Sequence, residues 1–236
     1  MFLASLSHRN RQPEIMDQPD LDPQRHLLAL RGLARINFIS GSARILWPEL
    51  ALAAKNSAAP LRVLDIATGA GDVPIRLWQR AKRAGLPITF AGCDLSSTAL
   101  QHARHAAGLA GADIQFFEQD ILKNGIPAGF DVITCSLFLH HLDDAEIIPV
   151  LRSMRQAAGR LVLINDLSRS RFGYLLAWFG SRILSRSDVV HVDGPLSVRA
   201  AFTPEEALLL AEEGGMTGAK VVRRWPCRFL LSWRRP

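Results

Sequence analysis

Apolar positions along the chain change period twice. From about Gln24 to Asn56 the spacing is helical. Leu27, Leu28, Leu30, Leu33 and Ile36 share one stripe, and Ile45, Leu46, Leu50 and Leu52 form another after Ser40-Gly41-Ser42. From Leu61 onward, short continuous apolar runs alternate with helical spacing. The runs 62–66, 88–93, 114–117, 130–135 and 160–164 predict five strands. Helices are predicted near 73–84, after Ser96, and after Asp143, where Asp143 and Glu146 stand at capping-box spacing. Alternating βα units of this kind require an α/β fold, a mostly parallel sheet with helices on both faces. The rhythm breaks at 171–186, where Phe172, Leu175, Leu176, Phe179 and Ile183 fall at helical spacing and Tyr174 and Trp178 widen the apolar face. Thr203-Pro204-Glu205-Glu206 opens another helix, Gly214-Gly215 ends it, and 219–224 with 227–233 read as a hairpin joined near Pro226.

Residues 1–24 carry Pro13, Pro19 and Pro23 without periodicity, so they are expected to form a flexible arm ahead of one domain at 25–236. Met16 begins a sensible sequence, which leaves the first fifteen residues as an extension that the native product need not contain.

Composition narrows the function classes. Hydrophobic residues make up 48% of the 236 positions and charged residues 21%, the balance of one soluble globular domain. No run approaches the ~20 apolar residues of a membrane span, and MFLASLS is too short for a signal-peptide core. Cys93, Cys135 and Cys227 are far apart, as buried thiols in a reducing, cytoplasmic setting would be. The net charge is +6, yet only Lys55, Lys82, Lys123 and Lys220 are lysines. The arginines are scattered except for a cluster at 223, 224, 228, 234 and 235. No basic stripe is interleaved with aromatics, so nucleic acid is not an expected partner, while contact with a membrane surface stays open.

The chemistry concentrates in Val63-Leu64-Asp65-Ile66-Ala67-Thr68-Gly69-Ala70-Gly71-Asp72. A buried strand feeds a glycine turn at which a ligand can approach the backbone, and a helix follows. A dinucleotide fingerprint needs a third glycine, and Pro74 stands there instead. Asp65 would also bring a carboxylate close to any diphosphate, so the turn favours a cationic ligand. Asp94 ends the second strand, placed to accept both hydroxyls of a ribose. Asp120 follows the third strand, placed for an exocyclic adenine amine while Ile121 lies against the base. One nucleoside, no diphosphate and a positive centre together describe S-adenosylmethionine.

On these residues the chain resembles the class I S-adenosylmethionine-dependent methyltransferases over roughly 25–236. The resemblance implies a Rossmann-like, seven-stranded, mostly parallel sheet whose last strand is antiparallel, and S-adenosylhomocysteine as product. It assigns the methionine end to Asp65, Thr68, Gly69, Ala70 and Gly71, the ribose to Asp94 and Leu95, the adenine to Asp120 and Ile121, and a pocket wall to Ser136. Leu33-Ala34-Arg35-Ile36-Asn37-Phe38 with Leu46-Trp47 is similar to the N-terminal segment of the ubiquinone and menaquinone C-methyltransferases. Where those enzymes carry Glu-Phe-Ser, this chain reads Asn165-Asp166-Leu167-Ser168. The expected acceptor is therefore a small, apolar, aromatic or quinone- or polyketide-like molecule methylated on oxygen or carbon.

In Leu139-His140-His141-Leu142-Asp143-Asp144, His140 occupies the place that small-molecule O-methyltransferases give to their base. A free imidazole, titrating near ~6.5, can take a proton at neutral pH. A structural role for His140 is the alternative. No metal is expected, because adjacent side chains do not normally share a face. Asp166 either orients a substrate hydroxyl or caps the next turn, and His191 and Asp193 read as a loop salt bridge. The segments 25–56 and 171–200 are expected as helical flaps, with Phe38, Trp47, Phe172, Tyr174, Trp178 and Phe202 walling the acceptor pocket. Trp225 and Trp233 go to the terminal hairpin. The rivals are an RNA methyltransferase, a nicotinamide-dependent reductase and a non-catalytic cofactor binder; the assembly is expected to be a monomer or a homodimer.

Overall fold

The computed structural model describes residues 6–18 and 20–236, so residues 1–5 and Pro19 of the expected arm lie outside the described residues. Five parallel strands come first along the chain: β1 (Leu61–Ile66), β2 (Ile88–Asp94), β3 (Ile114–Glu118), β4 (Phe130–Ser136) and β5 (Ala158–Leu167). The terminal hairpin, β6 (Lys220–Arg224) and β7 (Arg228–Arg234), completes one sheet of order β3-β2-β1-β4-β5-β7-β6, with β7 antiparallel to β5. This is the sheet the resemblance implies. Strand order reverses beside β1, which places a crevice over the carboxyl ends of β1 and β4.

Alternation along the strands creates two cores. Leu61 and Val63 of β1 face α2 (Ser42–Lys55) and α3 (Asp72–Ala84), where Leu46, Leu50 and Leu77 are fully buried. Leu64 and Ile66 face the other way, towards α6 (Asp144–Ala157) and α9 (Pro204–Glu213), with Ile147, Leu151 and Ala211 against them. Each large side chain buried this way contributes roughly 1.5–3 kcal/mol. α4 (Ser97–Ala110) covers the β2–β3 edge through Leu100 and Ala103, and α5 (Ile121–Asn124) is a single turn after β3. The capping box of α9 forms as its sequence predicts: Glu206 Oε2 accepts from Thr203 N–H at 2.8 Å and Thr203 Oγ1 accepts from Glu206 N–H at 3.2 Å.

Three further helices roof the carboxyl edge: α1 (Pro23–Ser40), α7 (Arg171–Leu184) and α8 (Asp188–Ala200). α1 ends where the sequence breaks, at Gly41 in the left-handed conformation. Inside α1, Gly32 is obligatory for packing, since a Cβ there would sit 2.2 Å from Ser185 Oγ. α8 overturns the loop expected around His191 and Asp193. Gly194 and Pro195 lower helix propensity there, but Val189, Val190 and Val198 are buried and hold the helix in place. Instead of pairing with each other, Asp193 accepts from the backbone N–H groups of Ile15 and Met16 at 2.9 and 3.0 Å, and His191 Nε2 lies 2.9 Å from Ser185 O.

The described part of the N-terminal segment runs across this roof as a strap. Arg9 donates to the carbonyls of Leu142 at 2.6 Å and Ala200 at 2.7 Å, pairs with Asp144, and lies 4.5 Å over the Phe202 ring. Asn10 N–H donates to Arg199 O at 2.9 Å.

Candidate active site

A cavity of about 1050 Å³ lies between the carboxyl edge of the sheet, the three roof helices and strap residues Glu14, Met16 and Asp17. A single small ligand typically fills roughly 300–1,000 Å³, so this space suits a large one or two side by side. Three residues at its wall adopt left-handed backbone despite their side chains: Ala67 (φ 49°) after β1, Leu137 (φ 59°) after β4 and Cys227 (φ 46°) before β7. Each costs roughly 1–2 kcal/mol, strain of the kind found where a chain is bent around a ligand.

The sequence candidates for the cofactor come together here. Asp65, Thr68, Gly69 and Ala70 line one end, followed by Asp94 and Leu95, then Asp120 and Ile121, with Ser136 beside the glycine turn. Gly71 alone stands behind the wall; its φ is 73°, and a Cβ would meet Phe116 at 2.9 Å and Ala103 at 3.0 Å. Asp94 ties the turn to β2, accepting from Gly69 N–H at 2.7 Å and Ser96 N–H at 2.9 Å. Asp120 caps α5 through Oδ1, 3.1 Å from the N–H groups of both Leu122 and Lys123, and its Oδ2 meets the exposed Lys123 ammonium at 3.2 Å. A surface pair of that kind is weak, so a ligand amine can compete for Oδ2. The site fits a polar nucleoside in two further ways. Ser136 Oγ and Asp72 Oδ2 are buried without hydrogen-bond partners, and the Leu95 side chain is left 65% exposed at the wall.

Asp65 is the most constrained of the carboxyls. Thr134 Oγ1 donates to one oxygen at 2.6 Å and Thr68 Oγ1 to the other at 2.8 Å. Burial nevertheless pushes its pKa up to about 7 against those two bonds. A cation bound beside it lowers that pKa again, so binding releases a proton. Cation affinity is therefore expected to rise with pH, by up to about tenfold per unit below 7, and to level off above 7. Calorimetric titration across pH 6–8 checks this, and a flat profile contradicts it.

At the other end of the cavity, the 3-10 turn Leu139–His141 presents two histidines. His140 is buried, and its Nδ1 lies 2.6 Å from Asp166 Oδ1. Asp166 itself sits behind His140, outside the wall, and also accepts from Leu167 N–H at 2.7 Å. Burial opposes its charge, but the charge and hydrogen bond of His140 outweigh this and hold the carboxyl below its usual range. An ionised carboxylate only accepts, so Nδ1 carries the proton that faces Asp166, and Nε2 is the ring nitrogen turned away from it.

His141 is fixed differently. Its Nδ1 lies 3.1 Å from Asp17 Oδ2 and 3.9 Å from Glu14 Oε2, both on the strap. Burial alone would lower its pKa, yet Glu14 and Asp17 raise it to about 9. The folded value exceeds the unfolded one, so this contribution to strap docking is complete below pH ~6.5 and is lost as pH rises through about 9. An NMR titration of the His141 ring should show a midpoint near 9; a midpoint at or below ~6.5 would remove the strap contact from the account.

The tight turn also changes the case on metals. The two rings lie 4.4 Å apart, and Glu14, His140 and His141 offer ligand atoms within 4.8 Å of one another, because the adjacent histidines stand on a 3-10 turn and not on one face of a regular helix or strand. A metal at this spot would have to displace the proton that Glu14 and Asp17 hold on His141.

None of the six aromatic pocket candidates lines the cavity. Phe38 is exposed beneath Arg76, and Trp47 packs beside the α2–α3 core. Phe172 lies against Trp225, Trp178 against Phe179 and Arg182, Tyr174 is outside the wall, and Phe202 is core. The cause is the orientation of α7, which is apolar on two sides. It turns Gly173, Ala177, Gly180 and Ser181 inward and its aromatics outward. The cavity wall opposite comes from aliphatic residues of α1, among them Leu30, Leu33 and Ile36.

Arg228 belongs to the site although the sequence groups it with surface arginines. It is 3% exposed, donates to Ser40 Oγ at 2.6 Å and Ser42 Oγ at 2.8 Å, and reaches the cavity wall. Burial lowers its pKa to about 10 while Asp166 and Asp72 hold it up, so the guanidinium remains charged with only neutral oxygens bonded to it. Such a charge favours an anionic oxygen on whatever occupies the space. The signal was an arginine opening the buried run Phe229-Leu230-Leu231.

Comparison with known proteins agrees with this layout. A family described as methyltransferase domain matches residues 63–159. The demethylmenaquinone methyltransferase of Deinococcus radiodurans is 35% identical over 70% of this chain and 68% of its own length. The ubiquinone biosynthesis O-methyltransferase of Thiobacillus denitrificans is 27% identical over 68% of each. The chain thus spans about two thirds of the length of these curated relatives. Among solved structures, the plantazolicin methyltransferase BpumL, in complex with SAH, superposes with a TM-score of 0.64 at 17% identity over 91% of this chain and 90% of that one. The S-adenosylmethionine-dependent methyltransferase SibL gives 0.67 at 20% identity over 98% and 65%. At these identities the structural likeness speaks for the fold.

Proposed function

Since the chain belongs to the S-adenosylmethionine-dependent methyltransferases, enzymes here of small-molecule type, we propose that it methylates a hydroxyl oxygen of an apolar, quinol-like phenol. When bound, S-adenosylmethionine supplies an electrophilic methyl group on a sulfonium. Asp65 and the glycine turn would hold its amino-acid end, Asp94 its ribose and Asp120 its adenine. The quinone-related names of the sequence relatives support the acceptor class, as do the aliphatic walls from α1.

One observation carries the reading: His140, backed by the buried Asp166 at 2.6 Å, shares a cavity with the three carboxylates at the carboxyl edge of the sheet. His140 Nε2 accepts the acceptor's hydroxyl proton, and Asp166 holds the ring in the tautomer that can do so and stabilises the imidazolium formed. The oxygen that loses the proton then takes the methyl group, and the proton on Nε2 later returns to solvent. Arg228 lowers the cost of the anionic oxygen, and the roof and strap keep water away from it. Incubation with methyl-labelled S-adenosylmethionine and a series of quinols should give label in an ether product. Label on ring carbon, or none with any quinol or phenol tried, would refute the proposal.

A further inference from the structure

We propose that the outer face of α7 docks on an anionic lipid bilayer and opens the acceptor cavity towards it. The observation is a patch of large apolar side chains that no described residue covers. Phe172 (55% exposed), Leu175 (47%), Phe179 (55%) and Ile183 (79%) recur at helical spacing along one stripe, with Trp178 beside them. Trp225, 70% exposed on the hairpin turn, extends the patch with its ring 6.0 Å from Phe172. An isolated apolar residue on a surface is ordinary, whereas a contiguous group of this size marks a contact surface.

Charge identifies the occupant. The segment 171–187 holds Arg171, Arg182 and Arg186 and no carboxylate, and Arg182 lies 4.0 Å over the Trp178 ring. Aromatic and aliphatic residues on one side, arginines at the margins and a tryptophan between them is the pattern of a helix lying in a membrane interface. Anionic headgroups complement those arginines. A second copy of this face does not, because it would bring the same arginines and no carboxylate of 171–187 to the contact. No helix among the described residues is long and apolar enough to cross the bilayer, so the contact is peripheral.

The patch also connects with the cavity. Leu176 is 38% exposed on α7 and lines the cavity wall, and Ile39, 57% exposed at the end of α1, does the same. With the inward side of α7 made of Gly173, Ala177 and Gly180, a flat apolar molecule can pass from the lipid into the cavity without crossing water. The delivery role rests on the quinol-like acceptor proposed above, but the docking itself does not.

Sedimentation with vesicles separates the two ideas. The full chain is expected to co-sediment with vesicles of phosphatidylcholine containing about a third phosphatidylglycerol, at least tenfold more than with phosphatidylcholine alone. The double substitution Phe179→Asp with Ile183→Asp, both on exposed positions, should reduce that binding at least tenfold. The far-ultraviolet circular dichroism spectrum and thermal midpoint should be unaltered, which shows that the variant is folded. Unchanged vesicle binding by the variant, or none by the parent chain, overturns the docking. So does a dimer that the substitutions dissociate. Vesicle binding that persists in the absence of any quinol methylation would leave the docking standing and remove only the proposed acceptor.

Discussion

Replacing His140 with alanine is expected to lower kcat by about 10²–10⁴-fold with little change in cofactor affinity. The magnitude follows from the role. A phenol hydroxyl is a poor nucleophile until it loses its proton, and in the proposed role His140 Nε2 takes that proton while Asp166 holds the ring through the 2.6 Å contact on Nδ1. Removing the ring leaves positioning by the cavity intact, so residual turnover persists and should increase with pH as the acceptor ionises by itself. Asp166→Asn keeps a polar partner but frees the ring to adopt the other tautomer, and a smaller loss with an altered pH profile is expected. A change under threefold for His140→Ala, with no alteration of the pH profile, would make the histidine a structural group.

The second large effect is on binding. Asp94→Ala should weaken S-adenosylhomocysteine binding by about 100-fold or more, because hydrogen bonds to a charged acceptor contribute roughly 1.5–3 kcal/mol each and a ribose diol offers two. The substitution also frees the Gly69 N–H that Asp94 Oδ2 holds at 2.7 Å, which loosens the glycine turn. Asp94→Asn retains one acceptor and should fall between. Calorimetry on folded variants checks this, and affinity within threefold of the parent chain would remove Asp94 from the ribose site.

Much of the fold could be read from local pattern, because the strands of a parallel sheet are buried on both faces and appear as unbroken apolar runs. Cofactor candidates could be proposed for a related reason: Asp65 stands one residue before the end of such a run, Asp94 and Asp120 end or follow one, and topology alone carries strand ends to one edge. The acceptor side resisted. α7 is apolar around most of its circumference, so periodicity marked a helix without telling its wall side from its outer side, and Phe172, Tyr174 and Trp178 were assigned inward. α8 was concealed by Gly194 and Pro195. Glu14 and Asp17 reach His141 across more than a hundred residues, and no spacing rule encodes such a contact. Arg228 looked like one more arginine in a basic cluster until the fold buried it.

A crystal structure of the chain with S-adenosylhomocysteine bound tests the central claim most directly. The account predicts the ribose hydroxyls on Asp94, the adenine amine on Asp120, the amino-acid end against the 65–70 turn and the sulfur directed towards the space in front of His140. A nucleoside lying elsewhere, or one whose sulfur is walled off from His140, would contradict it.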